Sequence, residues 1–429
     1  MRFLTKEVER PGAIPGEPIP QKPRRRFWTR RVDQPTYVRD IVGSVERFDQ
    51  RDILRNRHLL QPGSPEYRAY YALHPEWEEK DTRLRSLYPS EAESEKRRAA
   101  FAEEPLALAL SNSIDYAPPF ARPELADGPV SPYKVELDPA RANSVIKGLA
   151  RWLGADLVGI CRLNPWWIYS YAARGPGRWG KPIEVSHKYA ISIAVASDWN
   201  SILAGRGGKS LCGSYMTHHY VTGPLIVIAC RIAAFIRALG YPATAQTGDG
   251  TLLDQAIAVD AGLGEMGRSG LIVTKEFGTA VHLRTVTTDL PVAVDKPVDY
   301  GIQDFCARCF KCAEVCPVNA VPTGDKEVVR GIRMWTIDAE KCFMLRRAHG
   351  NVACMSCLAT CEFTEPRNIV HRTAAELAVW GGAPGRSFLV WLYDKLYGKV
   401  PRTHRYPDWL EFKGPPGLRE RISTFLHKV

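Results

Sequence analysis

The spacing of apolar residues changes near position 138, and that change divides the chain. Before it, from Met1 to about Pro132, proline, arginine and glutamate predominate and strand-like alternation is scarce. This stretch reads as an arm wrapped on a body, with one charged helix expected between Pro89 and Glu104. After it, Pro139 to Leu153 carries apolar residues at helical spacing, and the run ADLVGICRL from Ala155 to Leu163 predicts a buried strand. Tyr189 to Ala196 (YAISIAVA) predicts a second. Pro224 to Leu239 is apolar nearly all round, opens on a proline suited to a first helical turn and stops at Gly240, which predicts a buried helix. Asp254 to Ala261 reads as helix and Gly270 to Thr274 (GLIVT) as strand. After Pro291 the stretch VAVDKPVDYGIQDF reads as a linker, and segments beyond His371 bear Trp and Tyr at helical spacing.

Helices and strands are therefore mixed, and the expected fold class is α/β (α+β). The expected division is an arm over 1–137, a catalytic core over 138–300, a cysteine-rich module over 301–370 and a C-terminal covering segment over 371–429. The 429 residues are 45% hydrophobic and 24% charged, enough for two or three cores and a large buried cofactor. The longest apolar stretch, Gly223 to Tyr241, is interrupted by Arg231 and Arg237 and is too short and too charged to span a bilayer. No apolar run follows the charges of the first residues, so a cytoplasmic protein with no export signal is expected. A net charge of +11 fits a nucleic-acid or membrane partner in principle. Much of the excess lies before Leu60 and after Lys395, outside any nucleic-acid module, so the expectation is no nucleic acid and a solvated basic surface, or a dock for an acidic electron donor.

Cysteine spacing carries the chemistry. Cys306, Cys309, Cys312 and Cys316-Pro317 read C-x2-C-x2-C-x3-C-P, the spacing that wraps three corners of a [4Fe-4S] cubane and sends the fourth thiolate to a neighbouring one. Cys342, Cys354, Cys357 and Cys361 follow. Two [4Fe-4S] clusters are expected, one on Cys306, Cys309, Cys312 and Cys361 and the other on Cys316, Cys342, Cys354 and Cys357. Zinc, which uses paired C-x2-C hooks, and disulfides are the competing readings. Eleven residues separate Cys342 from Cys354, and Glu362 stands where a proline often follows, so the second half departs from the ferredoxin pattern. Cys161, Cys212 and Cys230 have apolar neighbours and read as core thiols.

Gly262-Leu-Gly264-Glu-Met-Gly267 matches the dinucleotide fingerprint, but a helix precedes it and a strand follows, the reverse of what that loop needs. The three glycines and the adjacent Arg268 are instead candidates for contact with a large flat cofactor. The aromatic residues Trp166, Trp167, Tyr169, Tyr171 and Trp179 either line such a site or belong to the core. His218 and His219, without further ligands, read as structural, and Asp289 and Asp299 as turn residues.

The run from Ala261 to Val321, AGLGEMGRSGLIVTKEFGTAVHLRTVTTDLPVAVDKPVDYGIQDFCARCFKCAEVCPVNAV, resembles the corrinoid-dependent reductive dehalogenases, whose glycine loop, T-D-L-P turn, linker and ferredoxin motif come in this order. The resemblance extends over roughly Asp138 to Pro366. It implies a nitroreductase-like core holding base-off cobalamin, with a bacterial-ferredoxin-like bicluster module beside it. It also implies a tyrosine proton donor upstream of the I-R-A-L-G-Y helix end; Tyr220, in HHYVTG, is the best-placed match and Tyr215 the next. A phenol with a pKa of about 10 gives up its proton poorly unless a cation favours the anion, and Lys275 or Arg284 would supply one. No D-x-H-x-x-G motif offers a histidine to cobalt. The implied reaction removes halide from an organohalide, an aryl halide if the aromatic residues line the site. Its electrons are expected from a separate reduced ferredoxin or flavodoxin, since the chain runs to Val429 without a flavin or plant-type ferredoxin module. The alternatives are an epoxyqueuosine reductase-like enzyme acting on tRNA and a non-catalytic two-cluster electron carrier.

Overall fold

The computed structural model describes residues 30–86, 123–174, 177–208, 211–247, 250–348, 353–364 and 369–397. The charged helix expected between Pro89 and Glu104 lies outside them. The arm does contain helices, but earlier than expected: α1 (Leu54–His58), α2 (Pro65–Leu73) and α3 (Pro75–Ser86). Ser64 caps α2 by accepting from the Tyr67 amide, and Pro65 occupies its first turn. The period of this stretch is obscured because its buried contacts are polar. Arg57 donates from Nη2 to Asp81 Oδ1 at 3.2 Å beneath the Trp77 ring, and the Tyr71 hydroxyl donates to Asp81 Oδ2 at 2.9 Å.

The arm is tied to the body by backbone-directed arginines. Arg47 donates to the carbonyls of Ile168, Tyr169 and Ile183, and Ile41 bridges to Ile332. The Tyr37 hydroxyl reaches Asp260 at 2.9 Å.

The body begins with a short α4 (Pro123–Ala126) and with α5 (Pro139–Trp152), whose N-cap Asp138 accepts from the amides of Ala140 and Arg141. It continues through β1 (Leu157–Arg162), β2 (Tyr189–Ala196), α6 (Trp199–Gly205), α7 (Leu211–Ala238), β3 (Ala243–Ala245) and α8 (Asp254–Asp260). A hairpin of β4 (Gly264–Met266) and β5 (Ile272–Thr274) precedes β6 (Val281–Thr288). β1, β2, β6 and β3 pair in that order, every pair antiparallel, so the mixed fold is of the α+β kind.

β2, central and buried on both faces, sorts its residues by size. Ile191 and Ile193 join Ile228, Ile232 and Ile236 of α7 in the main core, all at 2% exposure or less. Burying such a side chain stabilises the fold by about 1.5–3 kcal/mol. Ala190, Ser192 and Ala194 fill the other face, where Ala194 packs against Ala258 of α8. That face is small because α8 sits close: a Cβ on Gly159 would lie 2.3 Å from the Ala261 carbonyl oxygen.

One boundary differs substantially from expectation. α7 begins at Leu211, not at Pro224, which lies inside it. Proline has no amide hydrogen, so the Tyr220 carbonyl loses its helical donor at this turn. The helix continues because packing holds its first half, where the Thr217 carbonyl accepts from the Ser197 hydroxyl at 3.0 Å. Among the described residues no helix is long and apolar enough to cross a membrane.

Replacing Arg57 by alanine strands the Asp81 carboxylate in the arm, at an expected cost of about 3–5 kcal/mol. Hydrogen exchange should accelerate across α1 to α3 and stay slow in β2; unchanged arm protection would contradict this account.

Candidate functional site

Two turns of helix carry the first cysteines. α9 (Ile302–Arg308) opens from Gly301 in the left-handed region at φ 71° and holds Cys306; Cys309 ends it, and α10 (Lys311–Glu314) holds Cys312. A hairpin of β7 (Glu327–Val329) and β8 (Ile332–Met334) separates these from α11 (Ala339–Ala348), which carries Cys342, and from α12 (Ser356–Ala359), which carries Cys357. Helices α13 (Ile369–Trp380) and α14 (Gly382–Tyr397) close over α9. Arg386 of α14 donates to the Ala378 carbonyl at 2.7 Å and to Asp304 at 3.0 Å.

The thiols fall into two electrostatic neighbourhoods. Cys306 senses Cys361 and Cys312, and Cys309 senses Cys306 and Cys361. Cys342 senses Cys316 and Cys354, and Cys357 senses Cys354, Cys342 and Cys316. Cys312 senses both its own partner Cys361 and Cys357 across the divide, so the groups adjoin. One neighbourhood thus gathers Cys306, Cys309, Cys312 and Cys361, and the other Cys316, Cys342, Cys354 and Cys357. All eight cysteines are free thiols, as are Cys161 and Cys230; the Cys212 side chain lies outside the described residues.

Burial first, and neighbouring sulfur second, pushes Cys312 and Cys357 up to about 12. Cys361 is pushed up to about 11, also by burial. Thiolates so placed need a cationic body among them, which a cubane supplies. Among the described residues no three ligating side chains converge tightly enough to hold a single metal ion. A cubane's corner thiolates stand wider apart than that, with the cluster between them.

The chain also furnishes donors to the sulfurs. The Ala320 amide lies 3.1 Å from Cys316 Sγ, and Ser356 Oγ lies 3.1 Å from Cys354 Sγ. Backbone amides of Arg268, Lys311 and Ala313 point at Cys306, Cys309 and Cys312 respectively. Such donors, together with burial, set a cluster's potential.

The glycine loop borders the first group. A Cβ on Gly267 would meet Val273 Cγ2 at 2.8 Å and Cys306 Sγ at 3.7 Å, while Gly262 abuts Lys296 O and Gly264 abuts Val273 O. Arg268 lies between the rings of Phe310 and Trp335, 4.3 and 4.6 Å away, and donates to the carbonyls of Cys306, Pro322 and Gly324.

The second group meets the sheet. The Gly207 amide donates to the Cys354 carbonyl at 2.7 Å, and Ile202 and Leu203 of α6 share a core with Met355, Ala359 and Ala280. The first half of α7, whose backbone includes Tyr215 and Tyr220, is held at this same end through Ser197. The side chains of Tyr215, Tyr220, His218 and His219 lie outside the described residues.

A family model described as a 4Fe-4S dicluster domain matches residues 305–367. A tetrachloroethene reductive dehalogenase from Desulfitobacterium hafniense is 27% identical over 66% of this chain and 56% of its own. A solved reductive dehalogenase, described as suggesting a mechanism for B12-dependent dehalogenation, superposes with a TM-score of 0.66 at 28% identity over 86% of this chain and 49% of its own. Over two-thirds of its length the chain is similar to reductive dehalogenases. A catabolic reductive dehalogenase solved with 3-bromo-4-hydroxybenzoic acid gives a TM-score of 0.65 at 27% identity over 86% of this chain and 49% of its own. The chain thus spans about half the length of the relatives it matches.

The two candidate cations stand apart. The fully buried Lys275 places Nζ 2.9 Å from Glu376 of α13, whereas Arg284 of β6 lies opposite Ile193 and 3.8 Å from Asp254. Pairing with Ile193 puts Arg284 on the sheet face that receives α7, and among the described residues its buried Nε has no hydrogen-bond partner. The aromatic residues divide between roles: the Trp167 indole donates to Asp260 at 2.6 Å within a core cluster, Tyr171 stacks under Arg51, and Trp179 meets Tyr70 of the arm. Asp289 accepts from the amide of Lys188 on the chain leading into β2, while Asp299 accepts from the Gly301 amide two residues on and pairs with Arg39 at 2.9 Å.

Sequence reasoning missed Glu265, the middle of β4. It is wholly buried, and Oε2 accepts from the Tyr300 and Ile302 amides at the entrance to α9. A lone charge between glycine and methionine in an otherwise apolar run was the available signal. Burial, and then Asp299, pushes its pKa up to about 7 from 4.5. A raised carboxyl contributes stability that is full below about 4.5 and lost as pH rises to about 7. At roughly 1.4 kcal/mol per unit this amounts to about 3 kcal/mol. Glu265→Gln keeps the acceptor, so its stability relative to wild type should climb between pH 4.5 and 7.5 in chemical denaturation; a difference independent of pH would refute the buried titration.

Proposed function

We propose that this chain catalyses reductive dehalogenation, R–X plus two electrons and a proton giving R–H and halide, with two [4Fe-4S] clusters and a base-off corrinoid. The observation that carries this reading is the meeting of the second thiol group with the first half of α7 at one end of the sheet, in a fold shared with a B12-dependent relative. A corrinoid, when bound, supplies a strongly nucleophilic metal centre toward the carbon–halogen bond.

The chain's own residues supply the rest. Residues 138–300 form the corrinoid-holding core and 301–370 the cluster module. Arg284, whose buried Nε lacks an acceptor among the described residues, fits the amide rim of a corrin. Tyr220 delivers the proton, and its phenolate is favoured by cationic charge from Arg284 or Lys275. Pro224 bears on this role, because the Tyr220 carbonyl freed in α7 gives that turn latitude a regular helix lacks. An aryl halide is the proposed substrate class, supported by the brominated hydroxybenzoate bound to one similar protein. Reductant comes from a separate ferredoxin or flavodoxin, in the cytoplasm, where thiolates stay reduced.

Protein matured without oxygen in the presence of hydroxocobalamin should contain about eight irons and one cobalt and release halide from a brominated phenol. Refusal of cobalt ends this proposal, and cobalt uptake with tRNA reduction but no halide release redirects it. Tyr220→Phe should abolish halide release with both metals retained; full activity would remove Tyr220 from the mechanism. Cys309→Ala and Cys354→Ala should each lose about four irons from different groups, which electron paramagnetic resonance distinguishes.

A further inference from the structure

The two thiol groups differ in how they meet solvent. The first is closed over by α14, through Arg386 on Asp304 and Lys311 on Asp394 at 2.8 Å. In the second, Cys342 is exposed, while the other seven cluster cysteines are half-buried. It sits on α11, none of whose residues is buried. An electron enters a chain of clusters where sulfur comes nearest the surface.

The surface around Cys342 is cationic. From Lys341 to Cys361 the sequence holds Lys341, Arg346 and Arg347 and no carboxylate. Lys341 and Arg346 are exposed; Lys341 pairs with Asp338 and Lys80 with Glu340, so the formal excess of positive charge on α11 comes from Arg346 and Arg347. The arm extends the face. The Phe343 ring lies 5.7 Å from His58 of α1, which brings the exposed Arg55 alongside, and Arg57, Arg85 and Arg347 all act on His58. Burial holds His58 down at about 4 against the opposing pull of Asp81, so it stays neutral at pH 7; Arg57 is buried against Asp81, and the exposed Arg55 carries the surface charge of α1.

We infer that α11 and α1 form a docking face for an acidic one-electron carrier protein, which delivers its electron beside Cys342. One electron leaves the reduced carrier, which is oxidised, and reduces the second cluster; no bond or proton is exchanged. The inference rests on the reading above that the reductant is a separate protein. Basic faces speed association with acidic partners by about 10- to 1,000-fold at low salt, and salt suppresses the gain.

The test mixes anaerobic holoprotein with a reduced acidic bacterial ferredoxin in a stopped-flow instrument and follows bleaching of the clusters, independent of any turnover. Lys341→Glu with Arg346→Glu should slow reduction at least about tenfold at low ionic strength and abolish its salt dependence. Reduction by photoreduced deazaflavin should not change, and Arg151→Glu, on the exposed face of α5, should behave as wild type. If the double variant loses iron, Arg346→Gln alone replaces it, with a smaller slowing expected. Equal rates for wild type and variant overturn the docking face while leaving the separate donor intact. Wild type that deazaflavin reduces but neither ferredoxin nor an acidic flavodoxin does overturns the separate donor itself.

Discussion

Seven clustered cysteines at least partly withdrawn from water, with an eighth at the surface, are the constraint on which the rest of this structure depends. A buried thiol resists ionisation, as the upward displacement of Cys312, Cys357 and Cys361 shows, so the protein must bring either protons or cations to the same small volume. Much of the surrounding architecture serves that requirement. Short helices turn their amides toward sulfur, Arg268 is locked between two rings beside Cys306, and the glycine loop lets β4 come close because it has no Cβ to place there. Even Glu265, with no role at the sulfurs, holds the two amides that start α9 and so aims Cys306.

The sheet answers a different demand, that one end of the body accept the module without losing its own core. β2 does this by dividing large from small residues between its faces, so that α7 packs on one side and α8 seats on the other. The end nearest α6 is then free to share a core with Met355 and Ala359, the residues flanking Cys357. Electrons and the sheet edge are thereby brought together by ordinary hydrophobic burial.

What the sequence made legible follows from how local each signal is. Cysteine spacing and the apolar run YAISIAVA are read within one turn or one strand, and β2 appears where that run placed it. The start of α7 was not legible, because Pro224 is a local stop signal that contacts from Ser197 and α6 override. The arm helices were hidden for the opposite reason. Their interior is built from Arg57, Asp81, Tyr70 and Tyr71, residues that look like surface until their partners are known. Trp167 and Trp179 illustrate a further limit: twelve positions apart in one aromatic-rich stretch, they go to separate clusters, and no pattern of aromatic residues alone distinguishes such ends.

The grouping of thiols by turns, three from one stretch and a fourth from the far side, leaves a topological signature. Cys316 belongs with partners that come later in the chain, and Cys361 with partners that come earlier, so the two groups are interlaced like links closed through one another. Neither half of the module is a separable inheritance. A break in the chain anywhere between Cys316 and Cys357 divides both groups of thiols at once.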